Sequence, residues 1–405
     1  MEPKPNCRNI FSSQQAVPYS TNLKKTVEDL ENWLRDTYFT SVLATFNDEC
    51  LKRNPPKFVQ YRCEARVTCG GFGDRTRGVV AMFYVALFTN RVFHLHWNHP
   101  IDLGLYFNIN AELYHVDKNQ FNRQVAKASK NFVHRIFIDN ESGLQTFLDR
   151  LYFSKDLISI STNRLFLKTP GVFDVGDFQQ LVCDYFQNFP QVGNLTSSLL
   201  YAAGLRLLIN SPTRHVDLEF NAFLYNVFPE ERSSSARLRR WKQAYKIGVQ
   251  IRIELEHWKE KPSNRVTFDQ VNCFINEAVK YAKTNNENAF IFITSSDNNA
   301  SLAVVNGLQQ MGFHSIALTS VPVIHVDRFN WKSDTDQGSN NNITKQDIIK
   351  GNSKVVLDWY ILTLMDQLIV SQSSFAKSAS LVAMSPTRIF QHTDKDECNF
   401  YDEEY

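Results

Sequence analysis

The chain has 405 residues, 43% hydrophobic and 13% aromatic, with 44 basic against 42 acidic side chains and a net charge of +2. That length suggests about two domains, and 31 Phe residues offer large buried area to their cores. The near balance of charge excludes a general nucleic-acid or membrane-surface role, so any anionic ligand has to be held by local groups.

Residues 1–15 are polar and lack the apolar stretch of a signal peptide. The longest plain apolar run, residues 79–88, is far short of the ~20 residues a spanning helix needs. The expectation is a chain with no signal or transmembrane segment, cytosolic or, if its N-terminus is truncated, lumenal in the secretory pathway. Seven cysteines show no CxxC pair or zinc-like spacing, and at least one lacks an intramolecular partner.

Taken in order, residues 58–69 read as a strand, and GGFGDRTRG follows at 70–78. An apolar helix then runs to about Phe88, and Val92–Trp97 (VFHLHW) reads as a strand. Residues 101–229 are mixed and yield no strand order. The polar, serine-rich stretch 229–240 is the expected boundary, with domains at 1–235 and 241–390 and an acidic tail at 391–405. Beyond it the pattern is regular: strands at 246–253, 289–294, 314–320 and 367–371, and helices at 268–284, 300–311, 355–364 and from 374. Strands and helices alternating in this way predict a parallel, doubly wound sheet. Its ligands gather at the carboxyl ends of the strands, where Gln250–Arg252, Ser295–Asp297 and Ser373–Phe375 fall.

Each cluster has a functional and a plain reading. The glycine run is a phosphate cradle or a tight turn. Arg75 and Arg77 oppose the helix macrodipole, which a negative ligand would relieve, or they are solvated. Arg252 is a diphosphate clamp or a surface residue. Asp358, in the apolar helix VVLDWYIL, is costly unless paired; it reads as a cap or buried ion pair, or as the acceptor for the two N–H donors of guanine. Ser373 and Ser374 are helix caps or phosphate ligands. The triplet Asp334-Thr335-Asp336 reads as a solvated loop, and no metal is expected.

Together these motifs resemble the fucosyltransferase superfamily that includes plant α1,2-, core α1,6-, nodulation and protein O-fucosyltransferases. GGFGD at 70–74 followed by a helix, Thr89-Asn90-Arg91 and a strand is similar to its N-terminal glycine motif. IGVQIR, ending at Arg252, resembles its HxR strand, with Gln250 in place of His as in the plant branch. Residues 290–297 resemble its strand-plus-Ser-Asp motif, and DWYILTLMDQLIVSQSSF from Asp358 to Phe375 its C-terminal block. The resemblance covers about residues 58–97 and 246–390.

It implies an α/β fold of two Rossmann-like domains facing across a cleft, the GT-B type, with the glycine motif and Arg252 opposed. It also implies an inverting, metal-independent enzyme that needs no cofactor and transfers fucose from GDP-fucose to a glycan or protein hydroxyl. Arg252 would hold the β-phosphate and stabilise departing GDP, and Asp358 would read guanine. Ser373, Ser374 and the Phe375 amide would hold the diphosphate, with Gln250 beside the clamp and Asp297 near the nucleoside. Gly71, Phe72, Gly73, Asp74 and Arg75 would face the sugar and diphosphate. Glu254 and Glu256 are the candidate bases. The alternatives are a non-catalytic GDP-sugar-binding scaffold protein and a transferase using another GDP-sugar.

Overall fold

The computed structural model describes residues 21–40, 57–64, 69–109, 132–138, 157–162, 186, 189, 196–253, 266–285, 289–321, 344–391 and 398–403. The chain divides into two compact units, one ending at Ser211 and the other beginning at Pro212.

In chain order the first unit carries α1 (Thr21–Tyr38), β1 (Phe58–Cys63), α2 (Phe72–Phe88), β2 (Val92–Trp97) and β3 (Phe107–Ile109). It continues with β4 (Phe132–Ile138), β5 (Leu157–Thr162), α3 (Ser197–Leu208) and β6 (Ile209–Pro212). A sheet of order β2-β1-β5-β4 is parallel throughout, and β3 pairs with β6. Helix α2 is apolar on nearly every side, the pattern of a helix enclosed by its neighbours. Apart from Asp74 and Arg77 it is buried along its length, packed on β1, β2 and β5 and against α3. Two hydroxyls pin it to α3: Tyr84 donates to the Leu200 carbonyl at 2.7 Å, and Thr76 bonds the Tyr201 hydroxyl at 2.6 Å.

The second unit carries α4 (Arg214–Val227), α5 (Ser234–Gln243), β7 (Tyr245–Ile251), α6 (Val271–Asn285), β8 (Ala289–Ser295) and α7 (Asn298–Gln310). Then follow β9 (His314–Ala317), α8 (Lys345–Leu362), β10 (Gln367–Ser371), α9 (Ser374–Ala383), β11 (Thr387–Gln391) and β12 (Asn399–Asp402). The sheet order is β12-β11-β10-β7-β8-β9, parallel except for β12. The central strands are apolar end to end because both faces are covered. Ile291 and Ile293 join Val249, Phe274, Ala278 and Val304 in one core. The alternate positions Phe290 and Phe292 meet Phe223 of α4, and Phe290 also meets Trp241 of α5.

Three expectations change here. The stretch 229–240 is not the division between units. Its serines cap a helix, with Ser233 accepting from the Ala236 amide at 3.2 Å, and buried Trp241 binds that helix to the second unit. Helix α8 begins ten residues earlier than expected, at a capping box formed by Thr344 and Asp347.

The acidic tail is likewise not separate from the second unit. β12 pairs with β11, Cys398 is bridged to Cys273 of α6, and Glu403 is 5% exposed. Its carboxylate accepts from Ser380 at 2.8 Å and pairs with Lys377 at 2.9 Å, so the charge of Glu403 is matched within the fold. A second bridge joins Cys63 and Cys69. Cys7, Cys50 and Cys183 lie outside the described residues, and among those described no helix is long and apolar enough to cross a membrane.

Candidate functional site

Strand order in the second sheet reverses between β7 and β10: the chain runs outward through β8 and β9, then returns to lay β10 on the other side of β7. A crevice at the carboxyl ends of such a pair is the standard ligand position of an open parallel sheet. Gln250, the penultimate residue of β7, stands there in register with Val370 of β10 and Thr294 of β8. It is buried, and its side-chain oxygen accepts from Ser371 at 3.1 Å and Ser373 at 3.2 Å. Ser371 in turn accepts the Arg252 backbone N–H at 2.8 Å. Gln250 and Ser371 thus fix the backbone at Arg252 and the start of α9 to one another. Ser373 is the N-cap of α9, accepting from the Ala376 amide at 3.0 Å. Its hydroxyl is therefore committed to the helix and to Gln250, and the opening amides of α9 are those of Ser374 and Phe375.

At the end of β8 the chain makes a second polar turn. Ser295 accepts from the Asp297 amide at 3.1 Å. The Asp297 carboxylate caps α7, accepting from Asn299 at 2.6 Å and Ala300 at 3.3 Å. Ser296 binds the Ile253 amide at 2.9 Å and ties this turn to the segment after Arg252.

Beneath it lies Asp358, 3% exposed, on α8. Its Oδ2 accepts the Thr294 hydroxyl at 2.7 Å and pairs with the Lys354 ammonium one helical turn earlier, while Oδ1 has no hydrogen-bond partner among the described residues. Burial pushes the Asp358 carboxyl above the ordinary carboxylate range, and Lys354 and Thr294 pull it back. The buried-ion-pair reading of Asp358 is therefore what the fold realises, with one oxygen fully engaged and the other buried without a partner among the described residues.

In the first unit, helix α2 starts at Phe72, so residues 73–77 are its opening turns rather than a loop. Gly71 is the N-cap, and Gly70 has φ +79°. A Cβ at Gly70 would fall 2.7 Å from that of Asp74, which leaves glycine as the residue that fits. Arg75 is 1% exposed: it donates to the Gly70 carbonyl at 2.7 Å and to the His99 carbonyl, and lies 5.5 Å over the Trp97 ring. Arg77 pairs with Asp74 at 3.7 Å. The two cations thus have partners within the protein, backbone carbonyls for Arg75 and Asp74 for Arg77. Phe72 packs on Trp97, and Gly73 is buried with its carbonyl accepting from Thr76 at 2.8 Å.

The structure brings Gln250, the Arg252 backbone and Ser373 into one network, with Asp358 one strand away through Thr294. Asp297 stands apart as a helix cap. Glu254, Glu256, Asp334 and Asp336 lie outside the described residues. Sequence reading missed Ser371, Thr294 and Lys354; only Lys354, four residues before Asp358, left a local signal.

No protein-family profile matches the chain, and no curated protein matches it in sequence. Solved structures do. A mutant of Arabidopsis thaliana FUT1 in complex with GDP is similar over 93% of this chain and 80% of its own, at 15% identity and a TM-score of 0.50. Fucosyltransferase NodZ from Bradyrhizobium matches over 86% of this chain and 100% of its own, at 14% identity and 0.44. POFUT1 in complex with GDP matches over 83% and 98%, at 10% identity and 0.42. The chain has a mixed α/β, fucosyltransferase-like fold of the GT-B class.

Proposed function

We propose that this protein transfers fucose from GDP-fucose to a hydroxyl of a glycan or protein, with inversion and without a metal. The observation that carries this reading is the hydrogen-bonded frame at the β7/β10 switch point. There Gln250 and Ser371 join the backbone of Arg252 to the N-terminus of α9, in a fucosyltransferase-like fold.

The chemistry follows from what these groups offer. In transfer, the acceptor oxygen forms a bond to the anomeric carbon as the bond from that carbon to the β-phosphate oxygen breaks. GDP leaves with the electron pair, and the acceptor proton passes to a base. The sugar becomes oxocarbenium-like while charge grows on the diphosphate. The Arg252 guanidinium and the opening amides of α9 are suited to that charge, and held in place they stabilise it most at the transition state. Ser374 adds a hydroxyl there, since that of Ser373 is occupied by the cap. Asp358 offers guanine the single oxygen Oδ1, and Asp297 keeps the turn beside it in shape. Glu254 and Glu256 are the proposed bases.

The test is a donor panel. Purified protein incubated with GDP-fucose should release GDP, faster with a suitable acceptor, while GDP-mannose and UDP-sugars should be turned over at least ~10-fold more slowly. Chelation with EDTA should leave the rate unchanged. Loss of activity on chelation, restored by manganese, would overturn metal independence. Tight GDP binding with no turnover of any donor would favour a binding protein.

A further inference from the structure

Asp358 has one oxygen fully engaged and the other with no partner, an arrangement that assigns a task to the residue holding it. We infer that Lys354 is a positioning residue for base recognition, holding Asp358 as an anion whose Oδ1 alone is turned toward a ligand N–H. This rests on the nucleotide-sugar reading above and adds to it a residue outside the motifs.

The geometry is specific. Lys354 is 7% exposed and reaches Asp358 across one turn of α8, on the same oxygen that takes the Thr294 hydroxyl. Two donors on Oδ2 fix the plane of the carboxylate and leave Oδ1 as an orphan acceptor, less than 1 Å² of it accessible. A buried acceptor without a donor is rare in proteins, and such sites are completed by a water or a ligand. An anion there favours a ligand donor strongly, because a charged hydrogen bond is worth more than a neutral one.

The charge itself depends on Lys354. Burial opposes ionisation of Asp358, and among the described residues Lys354 is the charge that acts against that opposition. From β8 comes the hydroxyl of Thr294, which does not titrate in the working range. From α9, Ser378 binds the neighbouring Trp359, and from α4, Asp217 acts on Tyr360 rather than on Asp358. Without the ammonium, the Thr294 hydrogen bond is left to oppose burial, and the carboxyl then keeps its proton to higher pH and loses strength as an acceptor.

The experiment is GDP binding by calorimetry for wild type and Lys354→Gln from pH 6 to 9. Wild type should bind with an affinity that changes little over this range. Lys354→Gln should bind at least ~10-fold more weakly at pH 7 and recover part of that loss as pH rises, because the carboxyl then ionises without help. UDP binding should be affected less. If Lys354→Gln binds GDP like wild type at every pH, or loses GDP and UDP equally with no pH dependence, the positioning role is overturned while the nucleotide reading stands. If wild type binds no GDP at all, that reading fails and this one with it. Should Lys354→Gln not fold, the carboxyl carbon of Asp358 in wild type, assigned by NMR against Asp358→Asn, decides. An ionised signal at pH 7 is expected, and a protonated one overturns the proposal.

Discussion

Removing the Asp358 carboxylate strips Lys354, 7% exposed, of the anion it is paired with. Breaking one side of a buried pair costs about 3–5 kcal/mol, whereas replacing both sides with neutral groups of similar size is often close to neutral. Asp358→Asn should therefore destabilise the protein by about that amount in urea unfolding, and adding Lys354→Met should restore most of it. Equal stability of Asp358→Asn and wild type would show that the pair is not desolvated. The same pair marks what the sequence can and cannot disclose at this scale. Lys354 and Asp358 sit four apart in a helical pattern, a spacing legible from the residues alone. Thr294 is 64 residues from Asp358 and is brought to it by the pairing of strands, which no local pattern encodes. Arg75 is similar: its basic character at a helix start was visible, but the carbonyl of His99 that receives it is placed by the return of the chain.

Among the elements, β7 and β10 pack close enough that one of them requires a glycine. A Cβ at Gly248 would fall 2.7 Å from Leu368 Cδ2, 2.8 Å from Met365 Cγ and 2.9 Å from Leu362 Cδ2. Gly248→Ala should lower stability by about 1–3 kcal/mol, the usual cost of overfilling a packed core. Thermal unfolding measures it, and an unchanged midpoint would mean that these three side chains give way freely. Strands β2 and β10 fall on the ranges their apolar runs predict, because a buried strand is short, apolar and bounded by turn residues. Helix starts were less legible. Residues 73–77 look like a loop because glycine and charge dominate them, yet packing against β1, β2 and β5 makes them helical. The serines at 233–235 look like a linker, yet Ser233 caps a helix that Ser234 and Ser235 begin. The middle of the chain gave no order, since β5 pairs with β1 on one side and β4 on the other across long separations.

For the whole molecule, the C-terminal strand closes the edge of the second sheet and is held by covalent and ionic ties together. The Cys273–Cys398 bridge spans 125 residues, and Arg388 links Asp402 at 2.9 Å to Glu277 of α6 at 3.1 Å. Cys398→Ser should cost about 2–4 kcal/mol by freeing the unfolded chain. It should also raise amide exchange at residues 399–402 before the rest of the sheet opens. Exchange there no faster than in wild type would mean that β12 is held without the bridge. The claim that this fold performs glycosyl transfer turns on Arg252, which follows β7 at the switch point. Its guanidinium should matter more to the transition state than to donor binding, because charge on the diphosphate grows as the glycosidic bond breaks. The decisive measurement is steady-state release of GDP from GDP-fucose by wild type and Arg252→Ala. Turnover should fall at least ~100-fold with a smaller change in apparent donor affinity; turnover of Arg252→Ala equal to that of wild type would contradict the assignment.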